Sequence, residues 1–290
     1  MRLALMIEGQ EGVSWEQWLA LAEACERYGI ETLFRSDHYL SPTDPERPAT
    51  DAWALLSALA ARTTKLRLGT LVSPVTFRHA SVVAKSAATV DHISGGRVEV
   101  GVGAGWMDAE HERFGFPFPE MSERLRMLAA DVERIDRALR RDPLVVQRPR
   151  PPLILGGSAT RGTADPAARF ADEYNTHGVG PAEVARRRKL LDEACEREGR
   201  DPATLHFSLM TPFLLGRSHA ERFVQIYPDA GTADEWFEEL RGRGLAGSQV
   251  DLVDGLREYE AAGAERVMLQ HVVHDDLEVV KTLGEIAAAL

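Results

Sequence analysis

The 290-residue sequence holds two cysteines, Cys25 and Cys195. They lie far apart in helix-patterned segments with no CxxC or Cys/His neighbourhood. That pattern argues against a disulfide framework or a zinc site. No run approaches the roughly 18 apolar residues of a membrane helix. The apolar run Met1–Ile7 is short and is followed at once by Glu8 and Glu11, unlike a secretory signal. A reduced, cytoplasmic protein is expected. Cations are in deficit: 34 Lys and Arg against 45 Asp and Glu leave a formal charge of −11. That balance disfavours nucleic-acid and anionic-membrane partners, which need a basic face. It does not exclude a small anionic ligand, because a few local N–H groups and cations decide that. There is no G-x-S-x-G elbow, and no lysine stands at a predicted strand end, which argues against serine-nucleophile and Schiff-base chemistry.

What is present is a steady alternation of strand and helix signals. Strands are predicted at 2–8, 32–35, 66–72, 97–102, 153–155, 173–176, 205–209 and 266–270. Helices follow, punctuated by recognisable signals. Ser14 and Gln17 form a capping box and Gly29 a stop, and Pro181 opens a helix at its first position. The run 103–119 reads as a loop, and 219–247 as helical in parts. Short apolar strands between helices are parallel strands buried on both faces. Eight such units favour closure. The expected fold is therefore α/β: one (β/α)8 TIM barrel over residues 1–290, with insertion loops after strands 2, 4 and 7.

In such a barrel the reactive residues come from the carboxyl ends of the strands. Those ends carry Glu8, Ser36–Asp37–His38, Leu71–Val72–Ser73, Gly103–Ala104–Gly105, Gly156–Gly157–Ser158, Asn175–Thr176–His177, Met210–Thr211 and Gln270–His271. No His-x-His pair is present, and adjacent Asp37 and His38 face opposite ways on a strand, so no metal is expected. Gly101-x-Gly103 lacks the third glycine of a dinucleotide loop, because position 106 is Trp. It reads as a tight turn or as backbone meeting a flat ligand. Gly156–Gly157–Ser158 precedes a helix whose free N–H groups suit a phosphate, with Arg161 adding charge; the alternative is a plain turn capped by Ser158. His38 is a proton-transfer candidate or a structural histidine. Glu8 is an acid/base or a loop anchor. Trp106, Phe114, Phe116 and Phe118 wall a pocket or pack a loop, and His271 and His274 face substrate or surface.

Several segments, taken in order, carry a resemblance. They are Ser36–His38, Leu68–Pro74, Ala88–Arg97, Gly101–Trp106, Leu153–Ser158 and Ala171–Asn175. With them the chain resembles the luciferase-like monooxygenase superfamily, specifically its coenzyme F420-dependent oxidoreductases. FMN-dependent relatives share most of the same set. The resemblance implies a barrel with a flavin-like ring across the strand ends. Asp37 and His38 would lie near its reactive edge, with Leu71, Val72 and Ser73 under one face. Relatives hold a non-prolyl cis peptide at the Leu71–Val72 step. Ala104 and Gly105 would line the ring, and Gly156, Gly157, Ser158 and Arg161 would take the phosphate.

The implied activity is hydride transfer between the C5 atom of a deazaflavin and a small organic substrate. His38 would be the proton-transfer group, assisted by Glu8 or Glu110, and Trp106 and His271 would border the substrate. In the sugar-phosphate dehydrogenase branch a Glu follows the fourth-strand glycines where this chain has Trp106. The cations that hold a sugar phosphate there have no match, so that substrate is disfavoured. Glu110, one turn further on, is a candidate replacement for the missing acid. Relatives are often dimers, so a homodimer is expected. The competing expectations are an FMN-dependent monooxygenase, a non-catalytic flavin or deazaflavin carrier, and a metal-dependent barrel hydrolase.

Overall fold

In the computed structural model, which describes residues 1–227 and 231–290, eight parallel strands close on themselves. They are β1 (Arg2–Ile7), β2 (Thr32–Arg35), β3 (Arg67–Thr70), β4 (Val98–Gly103), β5 (Leu153–Gly156), β6 (Glu173–His177), β7 (His206–Pro212) and β8 (Arg266–Gln270). Each pairs with its neighbour in sequence, β8 pairs with β1, and β3 pairs with β4 to complete the ring. The expected barrel is the observed one.

The two-residue period of a strand sorts its side chains between two environments. On β8, Val267 and Leu269 point outward into the main apolar core under the helices. Met268 points inward and meets Ala4, Met6, Phe34, Leu71 and Ile154 in a second, smaller core inside the barrel. Below that layer lies an ionic floor. Arg266, 1% exposed, donates to Glu99 at 2.8 Å and to Glu173 at 2.6 Å, and Arg67 reaches Glu99 at 2.7 Å. Such charges are tolerable in an interior only because each is paired and hydrogen-bonded. The floor closes the lower end of the barrel and leaves the carboxyl ends of the strands as its mouth.

The helices form where the punctuation places them. Helix α1 (Trp15–Tyr28) starts with both halves of the Ser14–Gln17 capping box and ends at Gly29, φ 78°. Helix α2 spans Ala52–Arg62, and α3 (Ala80–Ser94) buries Ala80, Ala84, Ala87 and Ala88. Within the run read as a loop, Asp108–Phe114 forms a short helix, α4, ahead of α5 (Met121–Arg141). Its polar length conceals the apolar periodicity that signals a helix. Helix α6 is Arg161–Phe170 and α7 is Pro181–Arg197. The third insertion holds α8 (Arg217–Ile226) and α9 (Ala233–Arg241). Residues 228–230 of that stretch lie outside the described residues. Helices α10 (Gln249–Ala261) and α11 (Leu277–Ala289) flank β8.

The predicted third strand is interrupted. β3 stops at Thr70, the Leu71–Val72 peptide is cis, and Ser73–Pro74 then pairs again with Val102–Gly103. The interruption turns Val72 over the neighbouring strands. A Cβ at Gly101, Gly103 or Gly156 would sit 3.0, 2.5 or 3.2 Å from the Val72 methyls. These three glycines therefore leave the space that Val72 occupies. Gly103→Ala is expected to cost roughly 1–3 kcal/mol by overpacking, and adding Val72→Ala should recover most of it in urea unfolding. Gly101→Ala should show no such rescue, because its Cβ would also lie 2.0 Å from the Thr70 carbonyl oxygen.

Candidate active site

The site is assembled from the end of β2. Asp37 and His38 follow the strand by two and three residues and turn to different partners. Asp37 is 0% exposed, and both its oxygens are committed. Oδ2 accepts from Ser73 Oγ at 2.5 Å and Arg78 Nε at 2.5 Å, and Oδ1 from Arg78 Nη2 at 2.8 Å. Arg78 also reaches Asp51 at 2.6 Å, the residue that caps α2, and Trp53 Nε1 donates to Ser73 Oγ at 3.1 Å. The Asp37 and Ser73 side chains are thus spent on protein contacts. They were expected to touch a ligand, and the structure uses them as the mount that ties β2, α2 and the Leu71–Pro74 segment together.

His38 points the other way, toward the mouth, with a side-chain exposure of 13%. Its Nδ1 lies 3.0 Å from Glu110 Oε2 on α4. Glu110 is wholly buried, and its second oxygen accepts the Tyr39 backbone N–H. The other ring nitrogen, Nε2, accepts from Trp106 Nε1 at 3.2 Å. An indole N–H can only donate, so these partners assign His38 as neutral, with its proton on Nδ1 facing Glu110. Burial by itself would lower the His38 pKa. The hydrogen bond and charge of Glu110, with Glu8 and Asp37 behind it, outweigh burial and hold the pKa above its ordinary 6.5.

Glu8 stands at the end of β1 and joins the same mouth. Gln270 Nε2 donates to its Oε1 at 2.7 Å and Gln10 Nε2 to its Oε2 at 2.9 Å. Gln10 is in turn fixed by Ser36 Oγ at 2.6 Å. Gln10 was not foreseen as part of the site, and Gln270 was named only as a strand-end residue without a role. The two-residue period along β8 could have found Gln270, since Arg266, Met268 and Gln270 share the inward face.

That same period corrects His271, expected to border substrate. It follows Gln270, so it points outward. Its ring is 0% exposed and stands 6.1 Å from His219 of α8, and among the described residues neither nitrogen has a hydrogen-bond partner. His274, four residues past the end of β8, is 7% exposed. Burial holds all three histidines below 6.5, to about 4 for His219 and His274.

The remaining expected residues fall into two groups. Val72, Ala104 and Gly105 are half-buried around the mouth, and Leu71 belongs to the inner core beneath them. The glycines of β4 and Gly156 serve Val72 and were not opened for a flat ligand alone. At the end of β5, Gly157 N–H is used by Asn175 O at 3.0 Å and Ala159 N–H by Tyr174 Oη at 2.7 Å. The cap of α6 is Thr160 rather than Ser158, and no side chain caps its first turn. Ser158 and Arg161 are exposed beside it. The aromatic run after β4 mostly packs its own loop: Phe116 stacks on Phe77 at 5.0 Å, and Phe118 meets His111 at 4.4 Å. Phe114 remains 45% exposed. Among the described residues no group of three or more His, Cys, Asp or Glu side chains is arranged to hold a metal ion, and no helix is long and apolar enough to cross a membrane.

A barrel whose β2 end presents His38 and whose third strand breaks at Leu71–Val72 can be set against known proteins. Residues 2–269 match the family described as luciferase-like monooxygenase. The chain belongs to this family. A curated relative, the FMNH(2)-dependent dimethylsulfone monooxygenase of Pseudomonas putida, is 29% identical over 175 residues, 54% of this chain and 47% of that protein. Another, the F420-dependent glucose-6-phosphate dehydrogenase of Amycolatopsis mediterranei, is 35% identical over 115 residues, 39% of this chain and 34% of that protein. These matches span at most about half the length of either relative. A solved F420-dependent secondary alcohol dehydrogenase, in complex with an F420-acetone adduct, superposes with a TM-score of 0.80 over 99% of this chain and 98% of its own, at 18% identity. The monooxygenase RslO1 of Streptomyces bottropensis superposes equally well, with a TM-score of 0.80 over 100% of this chain and 99% of its own, at 20% identity. At these identities the structural likeness concerns the fold alone.

The opposed contributions at His38 give a testable sign. In Glu110→Gln the raising partner is lost and burial remains, so the His38 midpoint, followed by NMR of its ring protons, should fall from above 6.5 to below it. A midpoint that does not move would remove Glu110 as the cause.

Proposed function

We propose that this luciferase-like protein is an F420-dependent oxidoreductase acting on a small organic molecule. The observation that carries the proposal is the His38–Glu110 pair at the mouth: a buried carboxylate holding a neutral imidazole with its second nitrogen turned outward. Hydride chemistry on a carbon centre needs a partner for the accompanying proton, and a positioned histidine is the usual one. The F420-dependent relatives support the same reading.

The residues present fit such a cofactor. Val72, raised by its glycine seat, offers an apolar support beside Ala104 and Gly105, where a planar ring would rest. The uncapped start of α6 leaves backbone N–H groups without intrahelical partners, which favour an anion; Ser158 and Arg161 would complete that phosphate site. When bound, a deazaflavin supplies a two-electron hydride acceptor or donor at C5 without the oxygen activation of a flavin. His38 Nε2 takes or gives the substrate proton, and Glu110 stabilises the charge that appears on the ring. Glu8, oriented by two amides, faces the same space as a fixed acceptor. Trp106 stands over His38 where the substrate would enter.

A second reading is an FMN-dependent monooxygenase, favoured by the longer matched stretch in the dimethylsulfone enzyme. Titrating the purified protein separately with F420 and FMN, read by cofactor fluorescence, separates the two. F420 is expected to bind and FMN to bind more weakly; tight FMN binding without F420 binding overturns the proposal. Arg161→Ala should weaken F420 binding about tenfold, the value of one charge-assisted hydrogen bond. With secondary alcohols as substrates, His38→Asn should lower kcat by roughly 10²–10⁴-fold and leave F420 affinity in place.

A further inference from the structure

His38 has one nitrogen available for a ligand. Nδ1 is held by Glu110, whose other oxygen is held by the Tyr39 N–H. Nε2 is occupied too, by the indole N–H of Trp106 at 3.2 Å. The hold on that indole is slight. Trp106 is 63% exposed, its ring meets His38 edge-on at 5.5 Å between centroids, and this is its one side-chain hydrogen bond among the described residues. A buried base is thus covered by a loosely tethered donor. Whatever hydrogen-bonds to Nε2 must first move the indole aside.

We propose that Trp106 is a specificity gate: its N–H keeps the place on His38 Nε2 that a substrate O–H or N–H takes over. The proposal rests on the reading of this mouth as the reaction site. It narrows the substrate to compounds that present a donor hydrogen to a neutral imidazole, alcohols and amines, and disfavours isosteric ethers. A compound without a donor cannot replace the hydrogen bond that it breaks, and leaves Nε2 unpaired. The charges that act most on His38 are acidic: Glu110 of α4 by direct contact, Glu8 after β1 across the mouth, and Asp37, paired with Arg78, through its field alone. Each favours the imidazolium. Once protonated, the ring has no lone pair at Nε2, the Trp106 N–H loses its acceptor, and the gate is released. Donor selection is therefore a property of the neutral form.

Tryptophan fluorescence tests this in the purified full chain, which contains five tryptophans. The wild-type emission is compared with that of Trp106→Phe and His38→Asn across pH. A step with a midpoint above the ordinary 6.5 of histidine is expected in the wild type and in neither variant. Above that step, cyclohexanol should perturb the Trp106 emission saturably, and methoxycyclohexane should not. The gate is overturned if the wild type shows no step, if the step survives in Trp106→Phe, or if the ether acts like the alcohol. F420 titrated into the same samples separates the two readings. F420 binding without the Trp106–His38 step removes the gate alone, and the step without F420 binding removes the cofactor assignment alone.

Discussion

The buried ion pair between Asp37 and Arg78 determines where the rest of the mouth can go. Asp37 lies two residues past a four-residue strand, and its carboxylate gathers Arg78 and Ser73. Arg78 and Ser73 then engage Asp51 and Trp53 at the start of α2. A charged group without water is stable only when its hydrogen bonds are complete, so this small network has little freedom to rearrange. Asp37 and His38 are adjacent in the segment after β2, so anchoring Asp37 restrains the backbone that carries His38. The position of the His38 imidazole is thus tied to a carboxylate that never meets solvent.

A second fixed point lies across the opening. Val72 projects over β4 and β5 because three positions there have no side chain. The inner core of Met6, Phe34, Ile154 and Met268 supports it from below, and the Arg266 ion cluster closes the barrel below that. Going up the barrel, the interior passes from paired charge to packed hydrocarbon to a half-open rim of Glu8, His38 and Val72. The family's chemistry belongs at that rim, where one polar and one apolar wall face each other.

The fold was legible in the sequence because its signals are local and repeated. Eight apolar strands, the Ser14 cap and the Gly29 stop each report on a few neighbouring residues. The order of strand ends placed His38, Glu8, Val72 and Ala104 around one opening, and Glu110 entered only through the family resemblance, as a replacement for an acid missing at Trp106. What the sequence concealed was direction. Asp37 and Ser73 stand at the right strand ends but turn away, and only the partners Arg78 and Trp53, tens of residues distant, reveal this. His271 and Gln270 show the same problem one residue apart. The strand period distinguishes them once the inward face is known from Arg266 and Met268, and that face is a property of the closed ring. Helix α4 was hidden for a different reason: in seven mostly polar residues there is too little apolar pattern to announce a helix, although it carries the carboxylate that orients His38.

The three buried histidines His219, His271 and His274 have a consequence for acid tolerance. His219, His271 and His274 stay uncharged in the folded chain well below the pH at which they would take up protons once unfolded. Between about 6.5 and 4 the unfolded chain therefore binds protons that the native one refuses, and acidification favours unfolding. His38 contributes with the opposite sign. Its raised affinity for a proton adds stability below 6.5, and that contribution is lost as pH climbs through its native value. One imidazole at the opening is steadied by acid while three buried ones are undermined by it, so the same fall in pH that charges His38 loosens the packing around His219, His271 and His274.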